Sequence, residues 1–135
     1  MEIKTKDFGK DHWSLFAYIE TRCVDYKGVL DKTHLRISNP ANQSPSIMYP
    51  QVWKPEYGTR LFGYFKEDGK EDKARQLPDH DDLDCFDDLE TAGLIENQGT
   101  GMDPACKLTK LGNEVAGKLR QHKSDGNYFA TFKVT

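Results

Sequence analysis

Eight carboxylates and one histidine crowd into residues 79–96, and their order raises two kinds of metal chemistry. Asp79, Asp81 and Glu90 fall at positions one, three and twelve of a calcium loop, where oxygen ligands suit a hard cation. Position five is Leu83, however, and position six is Asp84 where the turn requires glycine, so no calcium loop is expected. Asp79-His80-Asp81 also contains the His-Asp pair of metal phosphohydrolases. Such a site draws further His and Asp ligands from other helices, and His12, His34 and His122 stand in no matching context. Neither a metal nor a cofactor is expected. Nucleophilic chemistry has equally little support: Ser14, Ser38, Ser44, Ser46 and Ser124 lie in no G-x-S-x-G elbow, and no Walker A or GxGxxG run is present to cradle phosphate. Catalytic groups converge in space rather than in sequence, so this argues against an enzyme without excluding one.

The same carboxylates matter as an electrostatic feature. Residues 79–96 hold eight of the 22 acids and none of the 19 Lys and Arg, which makes the stretch −8. The remaining chain, with 19 cations against 14 acids, is +5. A mildly basic body with one acidic segment is the pattern of a solvated helix face or of a surface that attracts basic partners and repels nucleic acid.

The elements that would position these groups follow from hydrophobic periodicity. Ile3 and Thr5 alternate with charged residues, as in a short edge strand, and Asp11 is placed to cap a helix. Trp13, Phe16, Ile19, Cys23 and Tyr26 recur at steps of three or four, giving an amphipathic helix that Gly28 ends. Leu35 and Ile37 then suggest a turn and a short strand. Prolines at 40, 45, 50 and 55 permit neither a long helix nor a central strand, so residues 39–56 read as a loop. Loops this long inside a compact domain are commonly functional or disordered. Tyr57 to Phe65 would supply a short second helix with an aromatic face, and Lys66 to Gln76 a mobile connector. Pro78 opens the next helix, with Leu83, Phe86, Leu89 and Ala92 on one side, Cys85 beside them, and Asp81, Asp84 and Asp88 on the other. Asp79, Asp81 and Asp82 suit the first-turn helix dipole, which leaves Asp84, Asp87 and Asp88 unexplained by helix stability. Gly93 matches a left-handed C-cap, and Leu94-Ile95 begins a strand. The last helix places Leu111, Val115 and Leu119 on one face, Ser124-Asp125-Gly126-Asn127 breaks it, and residues 128–135 read as a terminal strand that would pair with residues 2–6 or with a second subunit in a homodimer.

At 135 residues and 36% apolar content the chain fits one domain, with a core about 11–37 and 57–122. No apolar run approaches the length of a membrane span, and the N-terminal residues lack the apolar core of a signal peptide, so a soluble cytoplasmic protein is expected. Three cysteines without short spacing form neither a disulfide framework nor a metal motif. Cys23 and Cys85 fall on apolar helix arcs and should behave as small hydrophobes.

Leu89-Glu90-Thr91-Ala92-Gly93-Leu94-Ile95-Glu96, a Gly- and Pro-containing hairpin from Asn97 to Ala105, and Lys107-Leu108-Thr109-Lys110-Leu111-Gly112-Asn113-Glu114-Val115-Ala116 carry a family pattern. The run resembles the L-E-x-x-G-L-I … L-T-x-x-G sequence of MarR-like winged-helix proteins over about residues 79–122. The resemblance implies that the first run ends the recognition helix, that the hairpin is the wing and that Thr109 caps the following helix. The fold expected is α+β and winged-helix-like, with about four helices, a small antiparallel sheet and a C-terminal strand.

Family and residues disagree over function. Recognition-helix positions that would face DNA carry Asp81, Asp84 and Asp88, where Arg, Lys, Asn or Gln would read base edges, and Gly99 to Pro104 in the wing contains no Arg or Lys. The leading expectation is a non-enzymatic protein-interaction module whose acidic helix, through Asp81, Asp84, Asp87 and Asp88, docks a basic protein surface. One alternative is a DNA-binding regulator using Lys4, Lys6, Lys10, Arg36, Lys54 and Arg60 as phosphate contacts. The other is a small-molecule binder whose groove is lined by Trp53, Tyr57, Phe62 and Tyr64.

Overall fold

The computed structural model describes residues 5–30, 35, 62–65, 73–76, 82–99 and 105–134. Among them the chain is mixed α+β. Helix α1 (Lys10–Asp25) is followed by an antiparallel pair, β1 (Phe62–Phe65) and β2 (Lys73–Gln76). Helix α2 (Asp82–Thr91), a second antiparallel pair, β3 (Ile95–Asn97) with β4 (Cys106–Leu108), and helix α3 (Lys110–Ser124) complete the order.

α1 is the central element, packed against α2, α3, β1, β4 and the C-terminal segment. Its stripe forms as its spacing predicts: Trp13, Phe16 and Ile19 are fully buried, and Leu15 joins them. Around Trp13 the rings of Phe8, Phe16 and Phe132 close at centroid distances of 5.1, 6.0 and 4.8 Å. Among the described residues Trp13 Nε1 finds no hydrogen-bond partner, a cost that so much buried aromatic surface outweighs. Two expectations about the helix ends are corrected. The N-cap is Gly9 rather than Asp11, which is buried within the first turn. Tyr26 lies just beyond the helix, exposed, with the Arg22 guanidinium 3.7 Å from its ring centroid, because the chain turns at Lys27 and Gly28 before the stripe completes another turn.

Gly28 is required on two counts. Its φ of +83° belongs to the left-handed region, and a Cβ there would lie 1.7 Å from the Cys106 carbonyl oxygen. The close approach lets the Cys106 N–H donate to the Gly28 carbonyl at 3.0 Å and sets Val29 in an antiparallel bridge with Ala105. Of the strand expected near Leu35 and Ile37, only Leu35 is described, and it is buried.

Residues 62–65 form a strand, not the expected second helix, and residues 73–76 form its partner, not a connector. Phe62 lies opposite Gln76 and Phe65 opposite Lys73. Aromatic residues suit a pleated strand, and Gly63 disfavours a helix, so pairing wins over the helical spacing. Three α-helices, rather than four, are present among the described residues. Pro78 and residues 39–56 lie outside them.

α2 buries Cys85, Phe86 and Leu89. It ends at Gly93, whose φ is +81°, with the Gly93 N–H donating to the Glu90 carbonyl and the Leu94 N–H to that of Leu89. β3 and β4 then pair in the register Ile95 with Leu108 and Asn97 with Cys106. Thr109 caps α3 as expected: its hydroxyl accepts from the Gly112 N–H at 2.9 Å and donates to the Gly93 carbonyl. α3 buries Gly112, Val115, Ala116 and Leu119. Leu111 is 47% exposed, a correction to its expected core place, since the buried arc is centred one position further on. A Cβ on Gly112 would lie 1.9 Å from the Leu94 carbonyl oxygen, so this first turn sits directly on the start of the hairpin.

The expected terminal strand is also absent. Phe129–Thr131 form a 3-10 turn, as do Thr5–Asp7; of residues 2–6, the expected partner, only Thr5 and Lys6 are described. The Thr131 and Phe132 amides bond back to Tyr128 and Phe129, which removes the donors a ladder needs, and Phe132 inserts its ring beside Trp13. His122 holds the turn, its Nε2 lying 2.8 Å from the Tyr128 carbonyl and 3.1 Å from Thr131 Oγ1.

Gly112→Ala should destabilise the protein by roughly 2 kcal/mol or more in urea unfolding, because backbone must move. Gly93→Ala meets nothing within 4 Å and should cost only its left-handed conformation, about 1 kcal/mol. Equal losses would contradict the packing of α3 on Leu94.

Candidate functional site

The chemistry-bearing residues converge where the first turn of α1 meets α2. Gly9 leaves its amide at the open end of α1, and His12, three residues on, reaches back so that its Nδ1 accepts from the Gly9 N–H at 3.1 Å. This is the role a Glu or Gln side chain plays in a capping box. Because Nδ1 presents its lone pair, the ring proton belongs on Nε2, which lies 2.9 Å from Asp88 Oδ2 and donates to it. The imidazole is fully buried and lies parallel to the Phe8 ring, with 4.4 Å between centroids.

A buried carboxylate–imidazole pair invites comparison with the dyad of a hydrolase, and the geometry decides against it. A catalytic imidazole is oriented through one nitrogen and exchanges protons through the other. Here the orienting carboxylate takes Nε2 and a backbone amide takes Nδ1, so both nitrogens are committed. The pair fastens helix to helix. Sequence reasoning gave His12 no role; the one signal available was its spacing of three from Gly9 at a helix start.

Asp88 therefore has one oxygen turned toward α1, which corrects its place on the outward face. Asp84 is half-buried and Asp87 exposed, and Asp81 lies outside the described residues. Glu90, also exposed, accepts from the Asn97 N–H at 3.0 Å and joins the acidic face to β3. Asp82 is only 2% exposed. Partial desolvation and then the charges of Asp84, Glu90 and Asp88 raise the Asp87 carboxyl above its ordinary range.

No protein-family model, characterised protein or solved structure matches the chain.

Of the other candidate sets only a part falls among the described residues. Lys6 and Lys10 are exposed near the start of α1, while Lys4, Arg36, Lys54 and Arg60 lie outside the described residues. Phe62 and Tyr64 fall in β1, opposite Gln76 and Ala74, while Trp53 and Tyr57 lie outside. Among the described residues no group of three or more His, Cys, Asp or Glu is arranged to hold a metal, and no helix is long and apolar enough to cross a membrane.

Asp88→Ala should lose roughly 1.5–3 kcal/mol in urea unfolding, the worth of a hydrogen bond to a charged group, while Asp88→Asn keeps an acceptor and should lose less. Equal, negligible losses would remove the helix clamp. Asp87 has the opposite sign. With its folded pKa raised, ionisation opposes folding, so the penalty is absent at acid pH and grows as pH rises through the carboxylate range. Asp87→Asn should thus raise the melting temperature more at about pH 7 than at about pH 4; a larger gain in acid would contradict the crowding of charge around it.

Proposed function

We propose that this protein is a non-enzymatic interaction module of winged-helix type whose acidic helix docks a basic protein surface. The observation that carries the reading is the outward face of α2. Asp87 and Glu90 are exposed there, with Asp84 beside them, and α2 contains no Lys or Arg. Partial burial first, and then the neighbouring charges of Asp84, Glu90 and Asp88, raise the proton affinity of Asp87 on that face. The succession of α2, the β3–β4 hairpin and the Thr109-capped α3 supports the winged-helix element of the reading, since this is the order the family resemblance implies.

The charge pattern opposes use of α2 in the major groove. Binding there would set carboxylates against phosphates, with no counterion release to offset the repulsion. The one basic side chain described on the hairpin strands, Lys107, pairs with Glu96 at 3.3 Å.

Because Asp88 also holds His12, the docking face must be tested without it. Fluorescence anisotropy of a labelled Lys/Arg-rich peptide should report binding that weakens with salt. Asp87→Lys combined with Glu90→Lys should reduce that binding tenfold or more, on the order of 1.4 kcal/mol, while the protein stays folded. Mixed-sequence duplex DNA should not bind even at about 50 mM salt. Salt-sensitive DNA binding by the wild type would overturn the proposal in favour of a DNA-binding regulator.

A further inference from the structure

Cys23 and Cys106 are 83 residues apart in sequence and meet where the last turn of α1 rests on β4. The Cys23 thiol donates to the Cys106 carbonyl oxygen at 3.5 Å. Backbone contacts enforce the approach: the Cys106 N–H donates to Gly28, Val29 bridges to Ala105, and Gly28 has no Cβ to hold the strands apart. The two sulfurs differ in access. Cys23 is half-buried, whereas Cys106 is 1% exposed. Burial above all holds both thiols above their ordinary range, and at Cys106 the neighbouring Cys23 thiol adds to the effect.

We propose that Cys23 and Cys106 form a redox-closable pair, in which Cys23 meets a peroxide and Cys106 resolves the product into an intrachain disulfide. In the first step the Cys23 sulfur, as thiolate, attacks one oxygen of hydrogen peroxide. An S–O bond forms, the O–O bond breaks, and the departing hydroxide takes up the thiol proton as water. Sulfur is oxidised to a sulfenic acid and peroxide oxygen is reduced. The Cys106 sulfur then attacks the Cys23 sulfur, forming the S–S bond and breaking the S–O bond. Hydroxide leaves with the Cys106 proton as a second water. Two thiols and one peroxide give one disulfide and two waters. Protonated, desolvated thiols make this pair slow, so it responds to sustained rather than brief oxidation. Closure ties β4 to the end of α1.

The test is hydrogen peroxide treatment of the full chain at about pH 8.5, where more thiolate is present, followed by intact-mass and non-reducing peptide analysis. The expected result is a loss of two hydrogens, a linked peptide joining Cys23 to Cys106, and reversal by dithiothreitol. The oxidised protein should melt roughly 5–15 °C higher, since the crosslink closes a long loop. Cys85→Ser should leave the link intact and Cys23→Ser should abolish it. An unchanged mass, a Cys23 sulfinic acid without crosslink, or a link to Cys85 or to a second chain would overturn the pairing.

Discussion

His12 joins the beginning of the first long helix to the middle of the second, and much of the described architecture depends on that bond. A helix start leaves backbone donors without partners, and a carboxylate entering an interior needs a donor. One imidazole answers both needs, accepting from Gly9 and donating to Asp88. Its ring stacks on Phe8, next to the aromatic cluster of Trp13, Phe16 and Phe132, and so fastens α2 to α1 beside the core. The acidic face is set by the same contact, because turning Asp88 inward leaves Asp87 and Glu90 to define what solvent meets.

The second half of the molecule is organised around carbonyls rather than side chains. Leu94 supplies one, accepting from the Thr109 N–H at 3.1 Å while Gly112 packs over it. Cys106 supplies the other, pressed against Gly28. Each close approach requires a glycine, and each ties a helix terminus to the β3–β4 hairpin. The helices and hairpin are therefore one packed unit, in which a change at the hairpin base is felt at both α1 and α3.

Local signals were legible where backbone geometry acts over a few residues. The stripe of α1, the left-handed cap at Gly93, the hairpin that follows it and the Thr109 cap were all readable, since each is a contest among near neighbours. The misreadings share a cause. The strand at Phe62–Phe65 depends on its pairing with Lys73–Gln76, and the C-terminal turn depends on Phe132 reaching Trp13 and His122 reaching Tyr128. Trp13 and Phe132 stand near opposite ends of the chain, and the nearer partners meet through pairing that hydrophobic periodicity does not register.

The sequence by itself determined an acidic helix on an otherwise basic chain, an α+β composition and the cap chemistry of the last helix, because charge, periodicity and turn residues are properties of neighbouring positions. Only the tertiary structure decided which carboxylate turns inward, that His12 is a clamp rather than a catalyst, and that Cys23 lies against Cys106. Those outcomes depend on the direction in which each side chain leaves its helix and on what the rest of the chain has placed there to receive it.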